Sequence, residues 1–312
     1  MKFSITISPE IAGLRLDQIV AGQVPYCSRS RAASLISQGE IRVGGKTKRP
    51  SYKVRPEDLV SGTVPAQSGP PRPKARDIGL SVVHEDSHIL VLDKPPGLVV
   101  HPAPGHTGDT LVNGLLAHDE VFSKPGWQDP QRPGIVHRLD MDTSGLIVVA
   151  KRPSALVFLQ KEFKQRRVSK RYLALAEGEK IPDQGIIDLA IGRHPTKRKL
   201  MAVNPDTGKP AKTGFQVLER FSQGALVEVR LYTGRTHQIR VHFYHQGFPL
   251  FGDRVYQMRR RRKGGALARR QMLHSWRLSF RHPYSGRRVA YEAPMPDDFT
   301  QLLGSLGGSD TN

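Results

Sequence analysis

The stretch from Gly134 to Lys151 reads GIVHRLDMDTSGLIVVAK, and it decides how the rest of the chain is interpreted. Its second half, Leu146 to Ala150, is apolar and largely β-branched, which predicts a buried strand. Its first half carries four ionisable side chains within six positions: His137, Arg138, Asp140 and Asp142. A loop held at the edge of a rigid sheet is where reactive groups usually lie. Solvated turn carboxylates that bond their own backbone would give the same pattern, so the remaining chain must decide.

The composition is that of a strongly basic protein. Among 312 residues, 48 are Lys or Arg and 28 are Asp or Glu, which gives a formal net charge of +20. Such an excess favours a polyanionic partner, most often nucleic acid. The alternatives are a surface that is basic for solubility alone, or an acidic lipid. Binding to lipid calls for a basic amphipathic helix with a strong apolar face, and the sequence does not show one.

The sequence favours a cytoplasmic protein without a membrane partner. No apolar run approaches the roughly 20 residues that cross a bilayer. The N-terminus alternates like a strand and lacks the apolar core of a signal peptide. The single cysteine, Cys27, excludes an internal disulfide and a Cys-rich zinc site.

Residues 1–62 are predicted to form a small basic α+β domain, with two helices and a glycine hairpin over 41–48. The strings Arg15-Leu16-Asp17, Ser28-Arg29-Ser30-Arg31 and GEIRVGG at 39–45 resemble the S4 RNA-binding domain. The resemblance implies RNA contacts by the cations of this domain: Arg29, Arg31, Lys46 and Lys48.

A second, larger domain is predicted at 78–306, where many strand patterns with interspersed helices indicate an α+β fold. One of those helices is predicted over Arg235 to Gln246, with Thr236 as a possible cap. The Pro-rich basic segment 63–77 should be an extended tether, because its composition cannot pack a core. Residues 307–312 should be a disordered tail.

The opening stretch resembles the signature of RluA-type pseudouridine synthases, through His137-Arg138-Leu139-Asp140 followed by Thr143-Ser144-Gly145-Leu146. Further family motifs occur in the right order: DKPPG at 93–97, KRY at 170–172, TGRTHQIRVH at 233–242 and GD at 252–253. The resemblance spans about 14–296. It implies a mainly antiparallel sheet with flanking helices, and an enzyme that isomerises uridine to pseudouridine in RNA.

The same resemblance implies three catalytic residues. Asp140 matches the family's nucleophile, and Arg240 matches the residue that pairs with it; a phosphate-binding arginine on a helix is the alternative for Arg240. Tyr172 matches the tyrosine beneath the target base, where it stacks and helps to remove the C5 proton. A buried strand tyrosine is compatible with that role. Whether Asp140 attacks the sugar or the base stays open.

Substrate contacts are implied as well. Arg138 matches the arginine that takes the place of the flipped uridine, Ile239 would form an apolar wall, and His137 precedes them in the signature. Basic loops of the second domain add expected RNA contacts: Arg235, Arg259, Arg260 and Arg261.

No cofactor or metal is expected, because the isomerisation involves no redox or phosphoryl step. His237, His242 and His245 are spaced by five and three, which does not match a pair of histidine ligands at i, i+4.

The expected partner is RNA. The S4 domain and Arg193-His194-Pro195-Thr196-Lys197-Arg198 are most like family members that act on large-subunit ribosomal RNA, free or in a pre-ribosomal particle. We expect a monomer. The alternatives are a family member that modifies transfer RNA and a non-catalytic RNA-binding ribosome-assembly protein. The combination of Asp140, Tyr172 and Arg240 argues against the non-catalytic alternative.

Overall fold

The chain forms two separate units, Met1–Pro71 and Arg72–Asn312, each with its own hydrophobic core. The structure is a computed structural model. It describes residues 1–24, 27, 29–65, 73–102, 109–197, 200–257 and 268–307. Among these residues, no helix combines the length and the apolar character needed to cross a membrane.

The N-terminal unit packs two helices against an antiparallel sheet of order β1-β3-β2. Leu16 and Val20 from the first helix and Ile36 from the second are fully buried in its core. The elements described are β1 (Lys2–Thr6), a 3₁₀ turn (Pro9–Ile11), α1 (Leu16–Gln23), α2 (Arg29–Ser37), β2 (Ile41–Val43) and β3 (Leu59–Thr63).

The structure contains the turn of the hairpin predicted over 41–48 but not its second strand. Gly44 and Gly45 have the positive φ angles of a tight turn, 54° and 74°, and the Val43 amide donates to the carbonyl of Lys46. Residues 46–48 form no strand, however. β2 pairs with β3 instead, so its partner is supplied from farther along the chain.

The predicted tether at 63–77 is too long at both ends. Thr63 ends β3, and Val64 is only 4% exposed in the N-terminal core. At the other end, the carbonyl of Lys74 accepts a hydrogen bond from Asn113, which ties it to the second unit. Residues 66–72 lie outside the described residues.

The second unit is built on a large sheet of order β4-β5-β6-β13-β7-β12-β11-β8, with β14 added beside β13. Its described pairings are antiparallel, except for the parallel pairing of β6 with β13. The predicted α+β class is therefore confirmed. A separate pair joins β9 and β10. The strands are β4 (Val82–Glu85), β5 (Ile89–Lys94), β6 (Ser144–Ala150), β7 (Ser169–Glu177), β8 (Gln184–Asp188), β9 (Ile191–Arg193), β10 (Met201–Val203), β11 (Lys212–Phe221), β12 (Gly224–Leu231), β13 (Leu273–Arg281) and β14 (Arg288–Glu292).

The helices of this unit are α3 (Leu111–His118), α4 (Pro153–Lys164), α5 (Gln238–His245) and α6 (Asp297–Gly307), with a 3₁₀ turn at Glu120–Phe122. α6 is absent from the expectations above, and it ends at Gly307, inside the predicted tail. The rest of that tail, 308–312, lies outside the described residues.

Helix α5 begins three residues later than predicted. The side-chain oxygen of Gln238 accepts hydrogen bonds from the Arg235 amide and the Thr233 hydroxyl. These bonds hold the preceding residues in a turn. His237 then takes a left-handed conformation, with φ 55° and ψ 22°, at the position before the helix. Thr236 is therefore not the cap.

Strand β6 confirms the buried strand predicted from the sequence, since Leu146 to Ala150 are fully buried. At its start, Gly145 pairs with Ser275 of β13 and has φ 102°. A Cβ at Gly145 would lie 2.3 Å from the Ser275 carbonyl oxygen. Only glycine fits this point, where the loop carrying Asp140 enters the sheet.

Replacing Gly145 with alanine should therefore be costly. We expect Gly145→Ala to lower the free energy of unfolding by about 3 kcal/mol, from backbone strain plus the displacement of β13. Gly247→Ala is the matched control: Gly247 has φ 92° but open space around the added Cβ, so it should cost about 1 kcal/mol. Urea titrations followed by tryptophan fluorescence measure both, since Trp127 and Trp276 lie in the second unit. Equal losses would contradict the steric argument.

Candidate active site

A cavity of about 320 Å³ lies where the loop before β6 meets the start of α5. That volume is in the range of pockets that bind small ligands, about 300 to 1,000 Å³. Three of the sequence motifs contribute to its walls: the loop, β7, and the turn that precedes α5 together with the start of that helix. The residues that line it include Arg138, Asp140, Lys170, Tyr172, Arg235, His237, Ile239 and Arg240.

Asp140 and Arg240 meet in this cavity, although 100 residues separate them. The guanidinium Nη1 of Arg240 donates to Oδ2 of Asp140 over 3.1 Å. The arginine side chain is 6% exposed and that of Asp140 is 18% exposed. The pairing expected from the sequence is thus present in the geometry.

Arg240 is fixed from behind by a second carboxylate. Its Nε and Nη2 donate to the two oxygens of Asp253, at 2.7 and 2.9 Å, and the Asp253 side chain is fully buried. Oδ1 of Asp253 also accepts the backbone amides of Val255 and Tyr256. Burial opposes the charge of Arg240, but hydrogen bonds and attraction from both carboxylates outweigh it, so the pKa of Arg240 is raised. The guanidinium therefore stays charged and cannot swing away.

Tyr172 lies on β7 and is 6% exposed at the cavity wall. Burial raises the pKa of its phenol to about 12; the charge of Asp140 acts in the same direction, and a hydrogen bond with the Ser275 side chain opposes it. At neutral pH the phenol is therefore uncharged. The residue is both a packed strand tyrosine and a cavity residue.

Two buried basic side chains hold the loop directly after Asp140. Lys94 is 1% exposed, and its ammonium donates to the carbonyl of Met141 at 2.9 Å and to two carbonyls of its own turn. Burial lowers the pKa of Lys94 to about 7. Arg270 donates to the carbonyl of Asp142 at 3.0 Å and forms a bidentate pair with Asp298 of α6. The carbonyls of two consecutive residues, Met141 and Asp142, are thus bound by side chains that lie far apart in the sequence of the second unit.

Two family models match the chain. One, described as RNA pseudouridylate synthase, matches residues 88–245, and the S4 domain model matches residues 14–60. The chain belongs to the RNA pseudouridine synthase family. It is an enzyme of that family with an RNA-binding S4 domain, as the sequence motifs predict.

Relatives with this fold are similar along nearly their whole length. The "Uncharacterized RNA pseudouridine synthase YlyB" of Bacillus subtilis is 42% identical over 98% of both chains. The "Ribosomal large subunit pseudouridine synthase D" of Pseudomonas aeruginosa is 44% identical, over 95% of this chain and 93% of that protein. Among solved structures, human RNA pseudouridylate synthase domain containing 1 has a TM-score of 0.56 and 28% identity, covering 74% of this chain and 96% of that one.

The three expected substrate contacts of the synthase differ in their surroundings. Arg138 is exposed at the cavity and Ile239 is 3% exposed in its wall. The Nε2 atom of His137 accepts the Val148 amide, and its ring stacks on Phe163. Burial lowers the pKa of His137 to about 3. His137 is therefore neutral. It is hydrogen-bonded to β6, and it forms part of the cavity wall.

The cations selected in the S4 domain are not equally available. Arg29 lies 3.3 Å from the carboxylate of Asp17, and Arg31 donates to the carbonyl of Pro65. Lys46 is exposed, and Lys48 lies 5.1 Å from the centre of the Tyr52 ring.

In the second unit, called the catalytic unit from here on, Arg235 lines the cavity and donates to the Pro210 carbonyl. Arg259, Arg260 and Arg261 lie outside the described residues. No group of three or more His, Cys, Asp or Glu side chains suited to a metal ion occurs among the described residues. His242 is fully buried and bonds to Leu189 and Thr213.

Three residues that support the site have no role in the sequence-based expectations. Asp253 and Lys94 lie in motifs noted there, GD and DKPPG, so position in a motif was the available signal. Arg270 belongs to no such motif. Its function depends on contacts with Asp142 and Asp298 that no local pattern encodes.

Asp253→Asn tests whether the arginine needs its second carboxylate. Asparagine leaves the buried Arg240 short of a charged partner, so we expect about 3 kcal/mol less stability and turnover reduced about 100-fold by misplacement of the guanidinium. Asp188→Asn is the control, because the Asp188–Lys212 pair is exposed and 3.6 Å long and should contribute less than about 1 kcal/mol. Denaturation and pseudouridine assays of both variants decide. Wild-type turnover in Asp253→Asn would show that Arg240 needs no such support.

Proposed function

We propose that this enzyme isomerises specific uridines of large-subunit ribosomal RNA to pseudouridine, with Asp140 as the nucleophile and the target nucleotide flipped into the cavity. The observation that carries the proposal is the Asp140–Arg240 pair at 3.1 Å in a cavity shared with Tyr172. A pure RNA binder has no use for a carboxylate in such a place, since it repels phosphates.

The chemistry balances within the substrate. The carboxylate of Asp140 supplies an electron pair to the nucleotide, the N1–C1′ bond breaks, and the uracil turns. The C5–C1′ bond then forms, Asp140 leaves with its electron pair, and C5 loses a proton while N1 gains one. Because product and substrate are isomers, no oxidant, reductant or phosphoryl donor takes part.

Arg240 orients the nucleophile. Its guanidinium holds one oxygen of the Asp140 carboxylate, the group that attacks, at 3.1 Å. Arg240 at 3.1 Å and His237 at 3.9 Å both approach Oδ2 of Asp140. We therefore assign the attack to Oδ1.

Tyr172, Ile239 and Arg138 act on the flipped nucleotide. The tyrosine ring stacks on uracil and the isoleucine packs beside it, while exposed Arg138 occupies the gap left in the RNA. With a pKa of about 12, the phenolate of Tyr172 is a strong base but is scarce at neutral pH. Removal of the C5 proton should therefore be the most pH-sensitive step.

Large-subunit ribosomal RNA is the favoured substrate because of the relatives and the charge. The Pseudomonas aeruginosa relative carries that substrate in its name, and the chain has a net charge of +20 with an S4 domain at its N-terminus. On this proposal the enzyme works as a cytoplasmic monomer.

Asp140→Asn tests the nucleophile. The amide keeps the size of the side chain but removes its nucleophilic charge, so pseudouridine formation should fall to background. RNA affinity should persist or increase, because one negative charge next to the phosphates is gone. The fold should survive, since Arg240 keeps its bidentate partner Asp253.

Asp142→Asn is the matched control, two residues away in the same loop. Its backbone carbonyl, not its carboxylate, is bound by Arg270, so turnover should change less than about threefold. Rates near wild type for Asp140→Asn would refute the assignment of Asp140 as the nucleophile. Activity of the wild type on transfer RNA alone would refute the substrate, and tight binding without any product would favour an assembly protein.

Deleting residues 1–71 tests the S4 domain. The catalytic unit has its own core and should stay folded. RNA binding should weaken, and the dependence of log K on log salt should become shallower by roughly 0.7 to 0.9 for each phosphate that the shortened protein no longer binds. Affinity measured over a series of salt concentrations gives the slope. An unchanged slope would mean that this domain does not bind RNA.

A further inference from the structure

A histidine faces the nucleophile without any role assigned so far. The Nε2 atom of His237 lies 3.9 Å from Oδ2 of Asp140, and the side chain is 24% exposed in the cavity. Its backbone is left-handed, with φ 55°. A non-glycine residue in that conformation is held there by its surroundings, and such residues cluster at functional sites.

Hydrogen bonding determines which ring nitrogen carries the proton. The hydroxyl oxygen of Tyr256 accepts the Met201 amide at 3.0 Å and lies 2.9 Å from Nδ1 of His237. If Nδ1 carried the proton, the tyrosine hydroxyl would have no acceptor among the residues that the structure describes, in a side chain only 4% exposed. The tyrosine therefore donates to Nδ1, and the proton of the neutral imidazole is on Nε2.

The charge state agrees with this assignment. Burial lowers the pKa of His237 below its ordinary value of 6.5, against the attraction of Asp140. Burial also raises the pKa of Tyr256, which keeps its proton. The ring thus presents one neutral N–H group to the cavity.

We propose that His237 is a second hydrogen-bond donor to Asp140, its Nε2–H closing onto Oδ2 when substrate is bound. This inference rests on the proposed role of Asp140 as nucleophile. Arg240 binds the same oxygen, so two donors converge on Oδ2 and leave Oδ1 for the substrate. Closing from 3.9 Å to hydrogen-bond distance takes a shift of about 1 Å.

The two donors do different work. Arg240 stabilises the carboxylate by charge and is held by Asp253. His237 is neutral. It stabilises Oδ2 while the bond to the nucleotide forms and breaks, and it adds no second positive charge that would make the carboxylate less nucleophilic. Because Tyr256 is itself bound to Asp253 through its amide, both donors are positioned from one buried carboxylate.

His237→Asn and His237→Gln separate the donor from the rest of the side chain. Asparagine tolerates the left-handed backbone and reaches toward Tyr256, but it has no group at the Nε2 position. Glutamine places an amide N–H near that position. We expect the single-turnover rate at saturating enzyme to fall roughly 10- to 100-fold in His237→Asn and to be largely restored in His237→Gln.

The substrate should be RNA with 5-fluorouridine at the target as well as ordinary RNA. Fluorine replaces the C5 hydrogen, so the rearrangement stops before proton removal and its rate reports the steps in which Asp140 takes part. Both substrates should slow in His237→Asn, while thermal melting and RNA affinity stay near wild type. His245→Asn, at the exposed end of α5, is the control and should change nothing.

The outcomes are distinct. A His237→Asn rate within twofold of wild type, or an equal loss of rate in His237→Asn and His237→Gln, overturns the proposal that His237 donates to Asp140. So does a loss confined to RNA affinity, which would make His237 a binding residue. Asp140→Asn assayed on the same RNA keeps the two claims apart, because activity in that variant refutes the nucleophile itself.

Discussion

The buried carboxylate of Asp253 is the group on which the geometry of the site depends. It lies behind the cavity wall, where it binds the guanidinium of Arg240 through both oxygens and accepts the amide of Tyr256. An unpaired charge at such depth would be very unfavourable, so the pairing with Arg240 is obligatory. The orientation of Asp140 therefore depends on Asp253, which acts through Arg240.

Not all of the excess positive charge is available to RNA. Lys94 and Arg270 are buried and donate to backbone carbonyls of the loop after Asp140, and Arg29 lies against Asp17. Basic side chains suit this task, because each can donate to several carbonyls at once, and the bonds are strongest when the donor is charged. A net charge of +20 thus combines two functions, attraction of phosphates and support of one loop.

The sequence was sufficient where function depends on local pattern or motif. The β-branched run predicted β6. The motifs identified Asp140, Tyr172 and Arg240, and these three residues line one cavity. It was insufficient where a distant side chain decides. Helix α5 starts at Gln238 because that side chain binds two groups of the preceding turn. Arg270 matters only because Asp142 and Asp298 meet it in the fold.

The parallel pairing of β6 with β13 has a consequence for synthesis of the chain. Ser275 pairs with Gly145, and its side-chain hydroxyl donates to the carbonyl of Leu146, 129 residues earlier in the chain. Until Arg270 and Ser275 have left the ribosome, this part of the chain lacks the bond from Arg270 to the Asp142 carbonyl and the pairing with β13. Such long-range contacts form slowly. The loop that carries Asp140 therefore reaches its final contacts late in the synthesis of the chain, after the S4 domain at the N-terminus has emerged.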